Sequence, residues 1–130
     1  MPKTMVIFFS EADGTTPLLE WVDDLPSKVQ DKCIVKIERL VEMGYELRRP
    51  EADLLRDGIY ELRIAFRSLQ YRILYFFHEN MAVISHGLKK ESEVPGKDIE
   101  IALKRREMFK HNPQLHTYEE KDYEDDNKEE

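Results

Sequence analysis

Three closely spaced runs decide the fold: IYELRIAF (59–66), QYRILYFFH (70–78) and MAVISHGL (81–88). Each is short, rich in β-branched and aromatic residues and bounded by turn signals, which is the pattern of a strand. In the first run Tyr60, Leu62, Ile64 and Phe66 share one face, and Glu61, Arg63 and Ala65 share the other. In the second, Tyr71, Ile73, Tyr75 and Phe77 form the matching apolar set. Pairing Phe66 with Tyr71, Ile64 with Ile73, Leu62 with Tyr75 and Tyr60 with Phe77 puts both sets on one side, with a turn at Ser68-Leu69. A slip of one residue would spoil that match. Glu79-Asn80 makes a tight turn into the third run.

Working outward, MVIFF (5–9) reads as a first strand buried in a sheet. Asp13-Gly14 breaks it, and Pro17 opens a short helical pattern through Leu18, Leu19, Trp21 and Val22, with Thr16 as N-cap. Leu25-Pro26 ends that helix and Ser27 caps the next. There Val29, Cys33, Ile34, Ile37, Leu40 and Val41 recur at helical spacing until Gly44 stops it. Leu54, Leu55 and the turn dipeptide Asp57-Gly58 lead into the three strands. A last helix spans about 95–109, burying Ile99, Ala102, Leu103 and Phe109. The expectation is an α+β domain over 1–112: a small antiparallel sheet of the three central strands, joined by the N-terminal strand and covered by the two early helices, with a C-terminal helix. Residues 113–130 are read as an acidic, disordered tail.

Length and composition agree. A chain of 130 residues holds one domain, and 41% hydrophobic residues supply a core. A membrane helix needs about 20 apolar residues in a row, and no run approaches that, so a soluble cytoplasmic protein without membrane partners is expected. The single cysteine, Cys33, leaves no internal disulfide and no multi-cysteine zinc cluster.

The net charge of −7 conceals a gradient. Residues 117–130 hold eight acidic and two basic residues, whereas 47–116 hold thirteen basic against ten acidic. A basic middle can hold phosphate whatever the overall balance. In the register above, Arg63 faces Leu74 and Arg72 faces Ala65. The two arginines are then diagonal neighbours about 7–8 Å apart at the backbone, near enough to converge on one phosphate. The plain alternative is solvated strand arginines with Glu61 as ion-pair partner.

No Gly-rich phosphate loop, HExxH or GxSxG occurs, and the four histidines lack metal-ligand spacing, so neither metal nor cofactor is expected. Cys33, on the apolar face of the long helix, reads as a packed thiol. What remains is positive and aromatic: Arg63, Arg72, His86, Lys89 and Lys90, with Tyr71 and Tyr75 interleaved. RNA can be cut without metal when its own 2′-hydroxyl attacks the adjacent phosphate. Such a site needs a proton acceptor, a proton donor for the leaving 5′-oxygen and cations on the phosphoryl oxygens. Arginine fills the last role and is a poor base, since its pKa exceeds ~12. His86 and Lys89 are the titratable candidates, although His86 reads equally as a core histidine satisfied by backbone. Lys104-Arg105-Arg106 sits near the end of the last helix, where cations favour the helix dipole, with RNA contact as a second role.

The motif DGIYELR (57–63), then YRILY (71–75), HGLKK (86–90) and ALKRR (102–106), resembles the bacterial RelE/ParE toxin superfamily, and its HigB-like, phage-derived branch in particular. The resemblance covers about residues 5–110 and includes the order strand, two helices, three strands, helix. It implies the toxin of a type II toxin–antitoxin pair, with a cognate antitoxin (a helix-turn-helix protein encoded next door), the ribosome and mRNA as partners. RelE-like and HigB-like members cut messenger RNA in the ribosomal decoding site; ParE-like members poison DNA gyrase instead. Carried over, the strand base falls on Arg63, the transition-state arginine on Arg72 and the cation after the last strand on Lys89. The catalytic set is thus Arg63, Arg72, His86 and Lys89, and the RNA-binding set Lys90, Arg67, Tyr71, Lys104 and Arg105. Two positions depart from the family: a second strand lysine falls on Ala65, and a stacking tyrosine falls close to Pro95. A metal-independent endoribonuclease is the expected activity, with a gyrase-binding or inactive binding module on the same fold as the alternative.

Overall fold

In the computed structural model, which describes residues 3–90 and 92–120, the apolar run of 73–77 lies in the middle of a five-stranded sheet. A strand apolar on both sides must be covered on both sides. The elements are β1 (Met5–Phe8), α1 (Pro17–Asp23), α2 (Ser27–Met43), a 3₁₀ turn (Gly44–Glu46), β2 (Ala52–Arg56), β3 (Ile59–Phe66), β4 (Leu69–His78), β5 (Met81–Lys89) and α3 (Gly96–His111). The sheet order is β1-β5-β4-β3-β2. The α+β architecture is as expected, with two differences. β1 runs parallel to β5, so the sheet is mixed, and β2 is a strand where the sequence suggested only a lead-in to a turn. Asp57 (φ 53°) and Gly58 (φ 81°) both adopt left-handed backbone, the two-residue hairpin geometry that joins β2 to β3.

The two faces hold separate cores. On one, α1 and α2 place Leu18, Val29, Cys33 and Leu40 against Leu62, Ile64, Tyr71, Ile73, Tyr75 and Ile84. On the other, α3 places Ile99, Ala102 and Phe109 against Ile59, Leu74, Phe76 and Val83. The face that sequence periodicity left polar is therefore half core, because Leu74 and Phe76 alternate with the first apolar set. In α2, Cys33 is buried and its neighbour Ile34 is 54% exposed, since consecutive residues on a helix turn about 100° apart. Burial pushes the Cys33 thiol up to about 11, which makes it an inert packing group. Ser27 starts α2 as its first residue rather than capping it, and Thr16 sits at the N-cap of α1 with its hydroxyl turned to Ser10 and Gly14.

The β3–β4 register differs from the expected one by two residues. Ile64 pairs with Tyr71, Leu62 with Ile73, Tyr60 with Tyr75 and Phe66 with Leu69. The hairpin closes on Arg67-Ser68, with Arg67 in the left-handed region (φ 59°), one residue earlier in the chain than the expected turn at Ser68-Leu69. A shift of two preserves every face, because the side-chain period is two. It changes the neighbours, however: Arg63 stands directly opposite Arg72.

β5 carries a bulge at Ser85, between the pairs Tyr75–Ile84 and Leu74–His86. The extra residue brings Ser85 and His86 to the same α3-facing side. It also sets Gly87 beneath Trp21, where an added Cβ would collide with the indole ring. Gly87→Ala should cost about 1–3 kcal/mol by overpacking, read in a urea titration; a loss under about 0.5 kcal/mol would show that the indole moves aside freely.

The domain continues past 112, the expected boundary. His116 is buried; its backbone oxygen accepts from Ser10 N (2.9 Å), its Nδ1 donates to Ser10 O (2.8 Å) and its ring stacks on Phe9 at 5.0 Å. Tyr118 N donates to Phe8 O (2.9 Å), so residues 116–118 edge β1. Residues 121–130, most of the expected acidic tail, lie outside the described residues. Among the described residues no helix is long and apolar enough to cross a membrane.

Candidate functional site

On the α3-facing side of the sheet, beyond the first residues of α3, an open groove of about 560 Å³ lies over β2, β3 and β4. Glu61 and Arg63 are two apart on β3, Arg72 is opposite Arg63, and Asp53 is opposite Glu61, so strand geometry alone sends these four side chains to one face. Four arginines (49, 56, 63, 72) line the groove with three carboxylates, Asp53, Glu61 and Glu93. Among the lining residues alone the arginines exceed the carboxylates by one, and Arg56 pairs outside the lining with Asp57 and Glu100. Leu55, Val94 and Ile99 supply apolar walls.

Glu61 is the centre. Its side chain is 1% exposed, and its two oxygens take one arginine each. Arg63 Nε donates to Oε2 at 3.0 Å, and Arg72 Nη1 donates to Oε1. Arg63 Nη2 reaches Asp53 Oδ2 at 3.4 Å, and Arg49 Nη2 reaches the same oxygen at 2.7 Å. The Arg49 hydrogen bond, foremost, holds the Asp53 carboxyl below its ordinary value. Arg72 also touches Ser92 O at 3.4 Å, while its Nε is buried with no partner. The cluster sets fixed cations against carboxylates on one face of the sheet.

The other expected site residues distribute as follows. His86 faces the same side but is not in the groove lining. Its Nε2 donates to Asp98 Oδ1 (3.0 Å), and its Nδ1 accepts from the Ser85 hydroxyl (2.8 Å), which in turn accepts from Arg105 Nη1 (3.3 Å). Those partners fit one neutral tautomer, and burial, against the pull of Asp98, holds His86 below its ordinary value. The unfolded chain therefore takes up this proton first as pH falls. The contribution of His86 to stability is whole above about pH 6.5 and is lost as pH drops through the lower folded value. Between about pH 7.5 and pH 5 the melting temperature of the wild type should fall more steeply than that of His86→Asn; parallel curves would contradict this.

Arg105, expected on RNA, is an interior strut: its side chain is 17% exposed, paired with Glu11 at 3.4 Å and lying over the Phe9 ring at 5.4 Å. Tyr71 is also unavailable for stacking on RNA, being 3% exposed and edge-on to Trp21 at 6.3 Å. Lys89 pairs with Tyr71, which puts it on the opposite face from Arg63 and Arg72. With Lys90, Leu69 and Ser92 it borders a smaller depression of about 330 Å³. Arg67, Lys89 and Lys90 are exposed near the β3–β4 hairpin, and Lys104 is exposed on α3. Ala65 shares the face of Arg63, and Pro95 is the N-cap of α3.

Sequence reasoning named the two arginines and treated Glu61 as a surface partner. It missed Asp53 and Arg49, whose positions follow from the unrecognised β2. One available signal was Glu61 itself, the single acid in the run 59–66, two residues along the same face from the core residue Ile59.

Comparison with curated proteins gave no match. A family model, described as phage-derived protein Gp49-like (DUF891), matches residues 20–107, from α1 through most of α3 and across every arginine of the groove. With well over half its length matched, the chain belongs to the phage-derived Gp49-like family.

Proposed function

We propose that the protein is the toxin of a type II toxin–antitoxin pair and acts as a ribosome-dependent endoribonuclease on messenger RNA. Membership of the Gp49-like family is consistent with a toxin of this kind and supports the HigB-like reading of the motifs. The observation that carries the activity is the cross-strand pair Arg63 and Arg72, both directed at one anion on the floor of an open groove. In the reaction the RNA 2′-oxygen attacks the adjacent phosphorus and gives up its proton. The bond from phosphorus to the 5′-oxygen breaks, and that oxygen is protonated. Arg72 and Arg63 stabilise the charge that gathers on the phosphoryl oxygens. No metal is required, because the nucleophile belongs to the substrate. The exposed cations Arg67, Lys89, Lys90 and Lys104 supply backbone contacts to RNA and ribosome. A cognate antitoxin, a helix-turn-helix protein encoded next door, restrains the toxin.

One observation favours a second reading. Each groove arginine already has an acidic partner: Arg49 has Asp53, Arg56 has Asp57 and Glu100, Arg63 has Glu61 and Asp53, and Arg72 has Glu61. A non-catalytic binding module, with gyrase as one target class, would keep such pairs closed. Toeprinting of translating ribosomes decides between them. Codon-phased cuts by antitoxin-free protein are expected, and their absence with undiminished growth arrest would leave the binding module.

A further inference from the structure

The two guanidinium groups converge on a single anion, and that anion is part of the protein. Arg63 meets one oxygen of Glu61 and Arg72 meets the other, an arrangement a phosphate would also satisfy, since carboxylate and phosphate offer the same paired acceptors to an arginine fork. Arg72 is left incomplete. One terminal nitrogen is on Glu61, the other makes a long contact of 3.4 Å to Ser92 O, and Nε is buried without a partner. A buried donor without an acceptor is costly, so Arg72 has something to gain from a second anion.

We infer that Glu61 is a placeholder for the RNA phosphate: its carboxylate occupies the position between Arg63 and Arg72, and RNA enters by drawing Arg72 away from it. This rests on the ribonuclease function proposed above and adds how the site is regulated. The empty site is held closed by its own carboxylate, RNA binding is a competition with Glu61, and entry leaves one oxygen of Glu61 without its arginine. A purely structural Glu61 has the opposite signature. Weakening it would loosen both arginines and weaken RNA binding.

The test compares wild type and Glu61→Gln in fluorescence anisotropy with a short labelled single strand of 2′-O-methyl RNA, which cannot be cut. Glutamine keeps the shape of the side chain and removes the charge. The variant should bind this RNA more tightly, on the order of tenfold. Its log affinity should also fall more steeply with log salt, by about 0.7, the increment for one more phosphate contact on a single strand. Equal or weaker binding with an unchanged salt slope overturns the placeholder and leaves the ribonuclease function standing. No binding by either protein, at low salt, overturns the placeholder, while the ribosome-dependent activity is decided separately by the toeprinting above. If Glu61→Gln does not fold, the wild type decides by nitrogen-15 NMR. The Arg72 Nε–H resonance, assigned by its loss in Arg72→Lys, should move when the same RNA is added. A resonance that stays fixed while RNA binds overturns the placeholder.

Discussion

Arg72→Ala should abolish growth arrest on induction while the fold survives. The charge on a phosphorane needs a fixed, permanent cation, and removing one such donor costs about 10²–10³-fold in rate. Arg72 is well placed for that role: it projects from the central strand of the sheet, its side chain is 12% exposed, and Glu61 and Ser92 orient it. The substitution also frees Glu61 from one of its two partners, so circular dichroism on the purified variant must accompany the growth assay. Arg72→Lys should rescue in part, because an ammonium keeps the charge and lacks the fork. Lys104→Ala, on the exposed side of α3, should change little beyond ribosome affinity. Full toxicity from a well-expressed Arg72→Ala would remove Arg72 from the site and, with it, the support for ribonuclease chemistry.

The second large effect is on stability. Glu61→Ala should destabilise the fold by about 3 kcal/mol, the lower end of the cost of breaking a buried ion pair by deleting one partner. The carboxylate is 1% exposed and balances two guanidinium groups that its loss leaves facing each other across a strand pair. The lower end applies because Arg63, at 32% exposed, can recover water from the groove. Arg63→Ala should cost much less, since it leaves Glu61 paired with Arg72. Urea denaturation of the three proteins measures both differences. A Glu61→Ala loss below about 1 kcal/mol would mean that solvent in the groove already shields the cluster.

β1 and the three later strands were legible from short β-branched and aromatic runs bounded by turn signals, and α1 and α3 because Pro17 and a run of spaced apolar residues bound them. Three things were not. β2 is short and carries Arg56 and Asp53 among its apolar residues, so it forms only by pairing with β3. The true β3–β4 register differs by two from the expected one, and both satisfy the same periodicity; the choice falls to the hairpin, where Arg67 adopts left-handed backbone that its residue type does not advertise. The third is His116, which continues the domain to Tyr118 through contacts with Ser10, a residue over a hundred positions away.

The amino-acid sequence by itself determined that there is one α+β domain, which side chains share each face of β3 and β4, and that Arg63 and Arg72 lie on one side. These follow from local periodicity, because a side chain alternates with its neighbours wherever the strand is placed. Only the tertiary structure decided which of those side chains meet. Pairing across strands put Arg72 opposite Arg63 with Glu61 buried beside them, the bulge at Ser85 turned His86 to Asp98, and Lys89 fell on the far face. Hairpin geometry and strand bulges set such contacts, and their energies come from burial and charge pairing between segments that are not neighbours in the chain.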